Sequence, residues 1–157
     1  MNKTIVRALI VFGALLVFGS LNCSIYAIEH INSHGEVIYL QLAPLDPRSL
    51  MQGDYMALRF SIVAQLRGHT TEDRIPLQVD QFRIARLAES PSSASLRMRY
   101  RVRNGEIWLG TNAYFFEEGA AERFVGAKYG KFRMDPRTGE AVLVALCDAQ
   151  LRELGGS

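Results

Sequence analysis

The 157-residue sequence has few side chains that could bind a metal or cross-link the chain. It contains two cysteines, Cys23 and Cys147, and three histidines, and it has no CxxC pair. These numbers exclude a disulfide-rich scaffold and disfavour a zinc site. His30 and His34 have the i, i+4 spacing of a helical zinc pair, but their short polar context favours solvated side chains. We therefore expect no metal site and no cofactor.

Net charge is also absent from most of the chain. Lys3 and Arg7 are the only charged residues among the first 27, so 16 of the 18 basic residues remain afterwards, against 16 acidic residues. Binding to the phosphates of a nucleic acid requires a net positive surface. We therefore expect no nucleic-acid partner.

No charged residue occurs between positions 8 and 28, a run of 21 residues. About 20 apolar residues suffice to cross a bilayer as a helix. Lys3 and Arg7 precede the run, which places the N-terminus in the cytoplasm and the remainder in the periplasm of a bacterium. We predict a single-pass inner-membrane protein. Residues 1–28 form a cytoplasmic stub and a signal anchor that contacts the lipid bilayer through 8–28, and residues 29–157 form the periplasmic domain.

Two other interpretations of the N-terminal segment remain open. A cleaved signal peptide requires a small-x-small site, and Ile25-Tyr26-Ala27 fits that pattern poorly. A lipoprotein requires a small residue before Cys23, where the sequence has Asn22. A retained anchor requires neither feature and is the interpretation we adopt.

Strand patterns dominate after the apolar run. Asn104-Gly105 is a strong hairpin signal, and residues 135–139 have Pro and Gly at positions typical of a turn. Helical patterns are confined to residues 117–129 and to a closing turn at 148–154. Strands are predicted at 36–42, 55–62, 77–87, 95–103, 106–109, 132–134 and 141–146. The predicted fold is mostly β or α+β, with one N-terminal transmembrane helix followed by a compact antiparallel β-rich domain with one or two short helices.

A strict alternation between apolar and basic residues marks the predicted strand at 95–103. Its basic members would lie on one face of the strand, where they either pair with acidic residues of a neighbouring strand or bind anionic headgroups or an acidic partner. They are candidate electrostatic contact residues: Arg97, Arg99, Arg101 and Arg103.

The segment 42–60, LAPLDPRSLMQGDYMALRF, has an unusual set of turn residues. Asp46 is a good helix N-cap, and Pro47 suits the first helical position. Gly53 can end such a helical turn with a positive φ, and Asp54 can bond to backbone amides as a new strand begins. The segment is therefore predicted to form a strand, a one-turn helix and a second strand.

These residues resemble the motif of the GDYXXLXY family of bacterial membrane-associated proteins. The motif falls on Gly53, Asp54, Tyr55 and Leu58, and its final tyrosine is replaced by Phe60. The resemblance implies a single-anchor protein that accompanies a multi-pass membrane protein, and it implies no reaction. The candidate motif or interaction residues are Asp46, Pro47, Arg48, Gly53, Asp54, Tyr55, Leu58 and Phe60.

The same segment superficially resembles the box of signal peptidases, whose nucleophile precedes the glycine by eight residues. Leu45 occupies that position here and cannot attack a carbonyl. We therefore expect a non-enzymatic interaction or accessory protein with no catalytic residue. Two alternatives stay open: an envelope hydrolase that uses Asp54 or Ser49, and a small-ligand-binding domain built around the Gly53-Asp54-Tyr55 turn. The sequence does not identify the partner or the oligomeric state.

Overall fold

The computed structural model of the protein describes residues 3–43, 51–52, 55–66, 73–103 and 105–155. Its first element is a long helix, α1 (Lys3–His34). The most apolar 18-residue window within Leu9–His34 has a mean hydropathy of 2.0, and none of that window is buried inside the structure. The predicted N-terminal helix, long and apolar enough to span a membrane, is thus confirmed. Residues 30–34, which are polar except for Ile31, continue it.

One residue, Gly35, separates α1 from the first strand. A Cβ atom at this position would lie 2.5 Å from the Ile31 carbonyl oxygen and 2.9 Å from the Met134 backbone nitrogen, so only glycine fits. Ile31 is buried, and a guanidinium nitrogen of Arg133 donates to the Ser33 carbonyl at 3.3 Å. The last turn of α1 therefore packs directly on the domain.

The main sheet of the described structure has seven strands: β1 (Glu36–Gln41), β4 (Arg74–Val79), β5 (Ile84–Leu87), β6 (Leu96–Arg99), β10 (Tyr129–Met134), β11 (Ala141–Cys147) and β12 (Glu153–Leu154). Their order in the sheet is β12-β11-β10-β1-β5-β4-β6. Neighbouring strands are antiparallel, except that β1 and β5 are parallel. The backbone N–H of Arg99 on β6 donates to the Gly139 carbonyl of the β10–β11 turn at 2.8 Å. The sheet is therefore curved so strongly that its edge strand β6 contacts the β10–β11 turn.

Two smaller sheets complete the described strands. One has the order β2-β3-β9, with β2 (Met51–Gln52), β3 (Tyr55–Ala57) and β9 (Ala113–Phe115). The other pairs β7 (Arg101–Arg103) with β8 (Glu106–Trp108). A short helix α2 (Ser61–Gln65) and a 3₁₀ turn (Ala121–Phe124) lie between strands. The predicted β-rich domain with one or two short helices is confirmed.

A single hydrophobic cluster of the described residues lies between these elements and contains side chains from the main sheet, β3 and α2. Alternate residues of β10 point into it, so Phe132 and Met134 are fully buried while Lys131 and Arg133 are half-buried. This alternation is the pattern of a sheet with one covered face. The largest fully buried side chains are Phe132, Ile38, Leu40, Ile75, Leu77, Met98, Leu109, Met134, Leu146 and Cys147.

Several predicted elements differ from the structure. The single strand expected at 77–87 is wrong, because β4 and β5 form an antiparallel hairpin around the turn at residues 80–83. The strand expected at 55–62 ends at Ala57, and α2 follows, because one helical turn brings both Ile62 and Leu66 into the core. The helix expected at 117–129 is wrong. Only the 3₁₀ turn forms, since Gly119 has a φ of +79° and a left-handed residue interrupts a helix.

The strand expected at 95–103 divides at Tyr100. The backbone N–H of Tyr100 donates to the Asp73 carbonyl at 3.2 Å, and the chain then leaves β4 to pair with β8. Val102 is 58% exposed as a result. The apolar face inferred from the alternation therefore does not extend past Tyr100.

Candidate interaction surface at the motif strand

The structure describes three of the candidate motif residues, Tyr55, Leu58 and Phe60. The other five, Asp46, Pro47, Arg48, Gly53 and Asp54, lie outside the described residues, as does the predicted one-turn helix. Strand β3 begins at Tyr55 and pairs with β2 on one side and β9 on the other. The motif strand is therefore the central strand of the three-stranded sheet.

The inward side of the motif segment belongs to the hydrophobic core. Leu58 and Phe60 are 3% and 2% exposed. The Phe60 ring meets the Phe132 ring edge to face, with centroids 5.3 Å apart. Phe60 also forms an isolated antiparallel bridge with Leu42, directly after β1. These two motif positions therefore hold the small sheet against the main sheet.

The outward side of the same sheet carries an aromatic pair. Tyr55 lies directly opposite Phe115 on β9, and their ring centroids are 5.7 Å apart. Tyr55 is half-buried, whereas Phe115 is 74% exposed. Large aromatic side chains anchor many protein interfaces, and an aromatic residue this exposed is a candidate contact residue. We call Tyr55 and Phe115 the aromatic pair.

A group of titratable side chains lies near the inward-facing neighbour of Phe115, Tyr114. The Lys131 ammonium donates to the Glu153 carboxylate at 2.6 Å, and this hydrogen bond raises the pKa of Lys131. Burial, with a smaller contribution from the charge of Glu153, raises the pKa of Tyr114. Burial likewise raises the pKa of the Cys147 thiol to about 11. These shifts keep the thiol and the phenol protonated at neutral pH, which is the reverse of what an activated nucleophile requires.

The buried thiol gives a first prediction. In a Cys23→Ser variant, Cys147 is expected to react with iodoacetamide at pH 8 at least about 100-fold more slowly than an exposed thiol, because the thiolate is the reactive form. The rate should rise with pH towards about 11, where the thiolate forms. Mass spectrometry of the alkylated protein measures the rate, and the same variant unfolded in guanidinium is the control. Equal rates in the folded and unfolded protein would contradict the burial of Cys147.

The four candidate arginines lie on two strands of different sheets. Arg99 forms ion pairs with Glu140 at 3.2 Å and with Asp73 at 3.7 Å. Arg101 reaches the same Glu140 carboxylate at 3.6 Å. Arg99 and Arg101 thus have acidic partners within the domain, and their exposed ion pairs contribute little to stability.

The other two arginines differ in their surroundings. The Arg103 guanidinium lies over the ring of Trp108, 5.4 Å from its centroid. Arg97 is exposed on β6, opposite Pro76. A common contact of all four side chains with one partner stays a prediction.

The two histidines near the end of α1 stack on each other. The ring centroids of His30 and His34 are 4.8 Å apart, and both side chains are exposed. Within the described ranges, no group of three or more His, Cys, Asp or Glu side chains is arranged to hold a metal ion.

Phe115 is the surface residue that sequence reasoning missed. The run Tyr114-Phe115-Phe116 was visible in the sequence, but its alternation places the flanking rings inward and only Phe115 outward. Tyr114 and Phe116 both pack on Phe124, with centroids 5.3 and 5.2 Å away. An alternation rule applied to this run would have exposed Phe115.

Comparison with protein families identifies the chain. The family model described as GDYXXLXY protein matches residues 17–146, from the middle of α1 to the penultimate residue of β11. Comparison with curated proteins returned no match, and comparison with solved structures returned none either. The match covers most of the chain and includes the motif strand, so the protein belongs to the GDYXXLXY family.

Proposed function

We propose that this protein is a membrane-anchored periplasmic accessory protein that binds a multi-pass inner-membrane protein through the aromatic pair. The observation that carries this proposal is the exposure of Phe115 on β9, beside Tyr55 of the motif strand β3. The domain bearing the pair is joined through Gly35 to a helix long enough to cross a membrane. Lys3 and Arg7, which precede the apolar run, favour a cytoplasmic N-terminus and a periplasmic domain.

The division of the motif supports an interaction role for its outward side. Leu58 and Phe60 are buried and serve the core, so packing explains them fully. Packing does not require an aromatic ring at a position that is 74% exposed, as Phe115 is. A membrane-embedded partner fits because α1 confines the domain to the membrane surface, where loops of such proteins are within reach.

The proposal predicts a site-specific contact in cells. A photo-crosslinking residue at position 115 is expected to capture one multi-pass membrane protein at least about 10-fold more efficiently than the same residue at position 102. Val102 is the matched control because it is also an exposed apolar side chain, 58% exposed, on a different sheet. Tyr55→Ala should reduce the capture from position 115 without lowering the amount of folded protein. Mass spectrometry of the crosslinked product identifies the partner.

Other results would favour the remaining functions. Equal capture from positions 115 and 102 would contradict a specific surface at the aromatic pair. Recovery of the chain alone from both positions would favour a small-ligand-binding domain or an envelope hydrolase, and metabolite screening of the purified protein would then follow.

A further inference from the structure

A second exposed aromatic side chain lies on the turn between β4 and β5. Phe82 is 61% exposed and belongs to no cluster of the core. Polar or charged residues occupy the rest of the turn, which comprises residues 80–83. An isolated exposed ring on a polar turn does not contribute to the core. Its position in the molecule therefore indicates what it could contact outside the domain.

The β4–β5 turn holds this ring on a fixed backbone. The Asp80 carboxylate accepts hydrogen bonds from the backbone N–H groups of Phe82 and Ile84, both at 2.9 Å. Arg83 adopts a φ of +64°, and its N–H donates to the Asp80 carbonyl at 3.0 Å. Because the turn is held by its own hydrogen bonds, the ring is presented outward without needing contacts to the core.

The turn lies at the end of the main sheet where α1 enters. Strand β5 is parallel to β1, with Tyr39 opposite Ile84, so the residues before Ile84 lie level with the start of β1. The Arg83 carbonyl accepts the N–H of Tyr39 at 2.9 Å, and the Arg83 guanidinium pairs with Glu36 at 3.2 Å. Glu36 is two residues after the end of α1. Phe82 is thus displayed beside the point where the chain leaves the helix.

The length of α1 places this end of the domain at the membrane surface. The 26 residues of Leu9–His34 span about 39 Å at 1.5 Å per residue, close to the ~40–45 Å thickness of a bilayer with its headgroups. A helix longer than the hydrocarbon layer tilts, and this tilt brings the attached domain closer to the bilayer. With only Gly35 between helix and sheet, the domain has no linker that would let it move away.

We propose that Phe82 inserts into the headgroup layer of the membrane that α1 spans and thereby fixes the orientation of the domain on the bilayer. This inference rests on the proposed membrane anchoring. Acidic residues accompany the basic ones at this end, as in the ion pair of Arg83 with Glu36 at 3.2 Å. The contact therefore depends on the ring, and we expect it in zwitterionic as well as anionic membranes.

The test uses the full chain with one tryptophan as a depth reporter. Trp108→Phe is combined with Phe82→Trp, and the protein is reconstituted into phosphatidylcholine vesicles with or without bromine near the headgroup end of the acyl chains. Replacing Trp108 removes no hydrogen bond found in the described part of the chain, since its indole nitrogen has no partner there. Brominated lipid is expected to reduce the emission of the tryptophan at position 82 at least about twofold, because aromatic rings at this depth contact the upper acyl chains.

A matched reporter combines Trp108→Phe with Phe115→Trp. Its ring lies on the small sheet, which joins the main sheet through the Leu42–Phe60 bridge at the far end of β1. Emission from position 115 should change by less than about a tenth with brominated lipid. A chain that floats with the vesicles but shows equal, small quenching at positions 82 and 115 would overturn the Phe82 contact and leave the anchor intact. A chain that does not float with the vesicles would overturn the anchor itself, and the contact with it.

Discussion

Replacing Phe60 by alanine is expected to destabilise the domain by about 3–5 kcal/mol, the usual cost of removing a fully buried aromatic ring. The ring is 2% exposed and packs edge to face on Phe132. It also approaches Gly130 so closely that a Cβ atom there would lie 3.0 Å from its Cε1 atom. Because protein interiors are close-packed, the structure around the vacated site relaxes only partly, and little of the cost is recovered.

Guanidinium denaturation of the full-length protein in detergent measures this cost. Trp108, the single tryptophan of the chain, reports unfolding of the domain. Phe60→Leu keeps most of the buried volume and should cost much less, so it gives a readable transition even if the alanine variant is largely unfolded. Phe115→Ala is the matched control, because that ring is 74% exposed. Its removal should change the free energy of unfolding by no more than about 0.5 kcal/mol.

The comparison separates two roles within one motif. If Phe60→Ala destabilises the domain and Phe115→Ala does not, the inward end of the motif is structural and the outward aromatic pair is left for binding. A large loss of stability with Phe115→Ala would assign the aromatic pair to folding as well. The loss of partner capture with Tyr55→Ala would then no longer indicate direct contact.

The sequence predicted elements best where the local pattern and the tertiary structure favour the same conformation. The apolar run at 8–28 forms a helix, and the turn at 135–139 connects antiparallel strands. There the Asp135 carboxylate accepts the Arg137 N–H at 2.8 Å and the Thr138 hydroxyl at 2.9 Å. These hydrogen bonds lower the pKa of Asp135. Such features depend on residues a few positions apart, so the local sequence predicts them without knowledge of the tertiary structure.

The failures occur where distant segments decide the outcome. The strictly alternating strand divides at Tyr100 because its two halves pair with different strands, β6 with β4 and β7 with β8. The apolar–basic alternation continues through that point and gives no sign of it. The position of the Phe82 turn beside the end of α1 likewise depends on the pairing of β5 with β1. A single sequence does not contain that information in local form.

Gly139 lies in the β10–β11 turn, where that turn contacts β6. Gly139→Ala is expected to destabilise the domain by about 2–5 kcal/mol. Two costs combine there. The residue has a φ of +77°, which costs a non-glycine residue about 1–2 kcal/mol. A Cβ atom would also lie 2.5 Å from the Arg97 carbonyl oxygen and 3.1 Å from the Arg99 nitrogen, so β6 must move away. That movement would stretch the 2.8 Å hydrogen bond from Arg99 to Gly139.

Gly105→Ala is the matched control for this contact between the β10–β11 turn and β6. Its φ of +78° is nearly the same, but no atom lies within 4 Å of the position that a Cβ would take. Gly105→Ala should therefore cost only the backbone term of about 1–2 kcal/mol, and the difference between the two variants isolates the contact between the β10–β11 turn and β6. Thermal unfolding followed by circular dichroism measures both. Equal losses would mean that β6 moves freely, and the sheet would then be open at that edge.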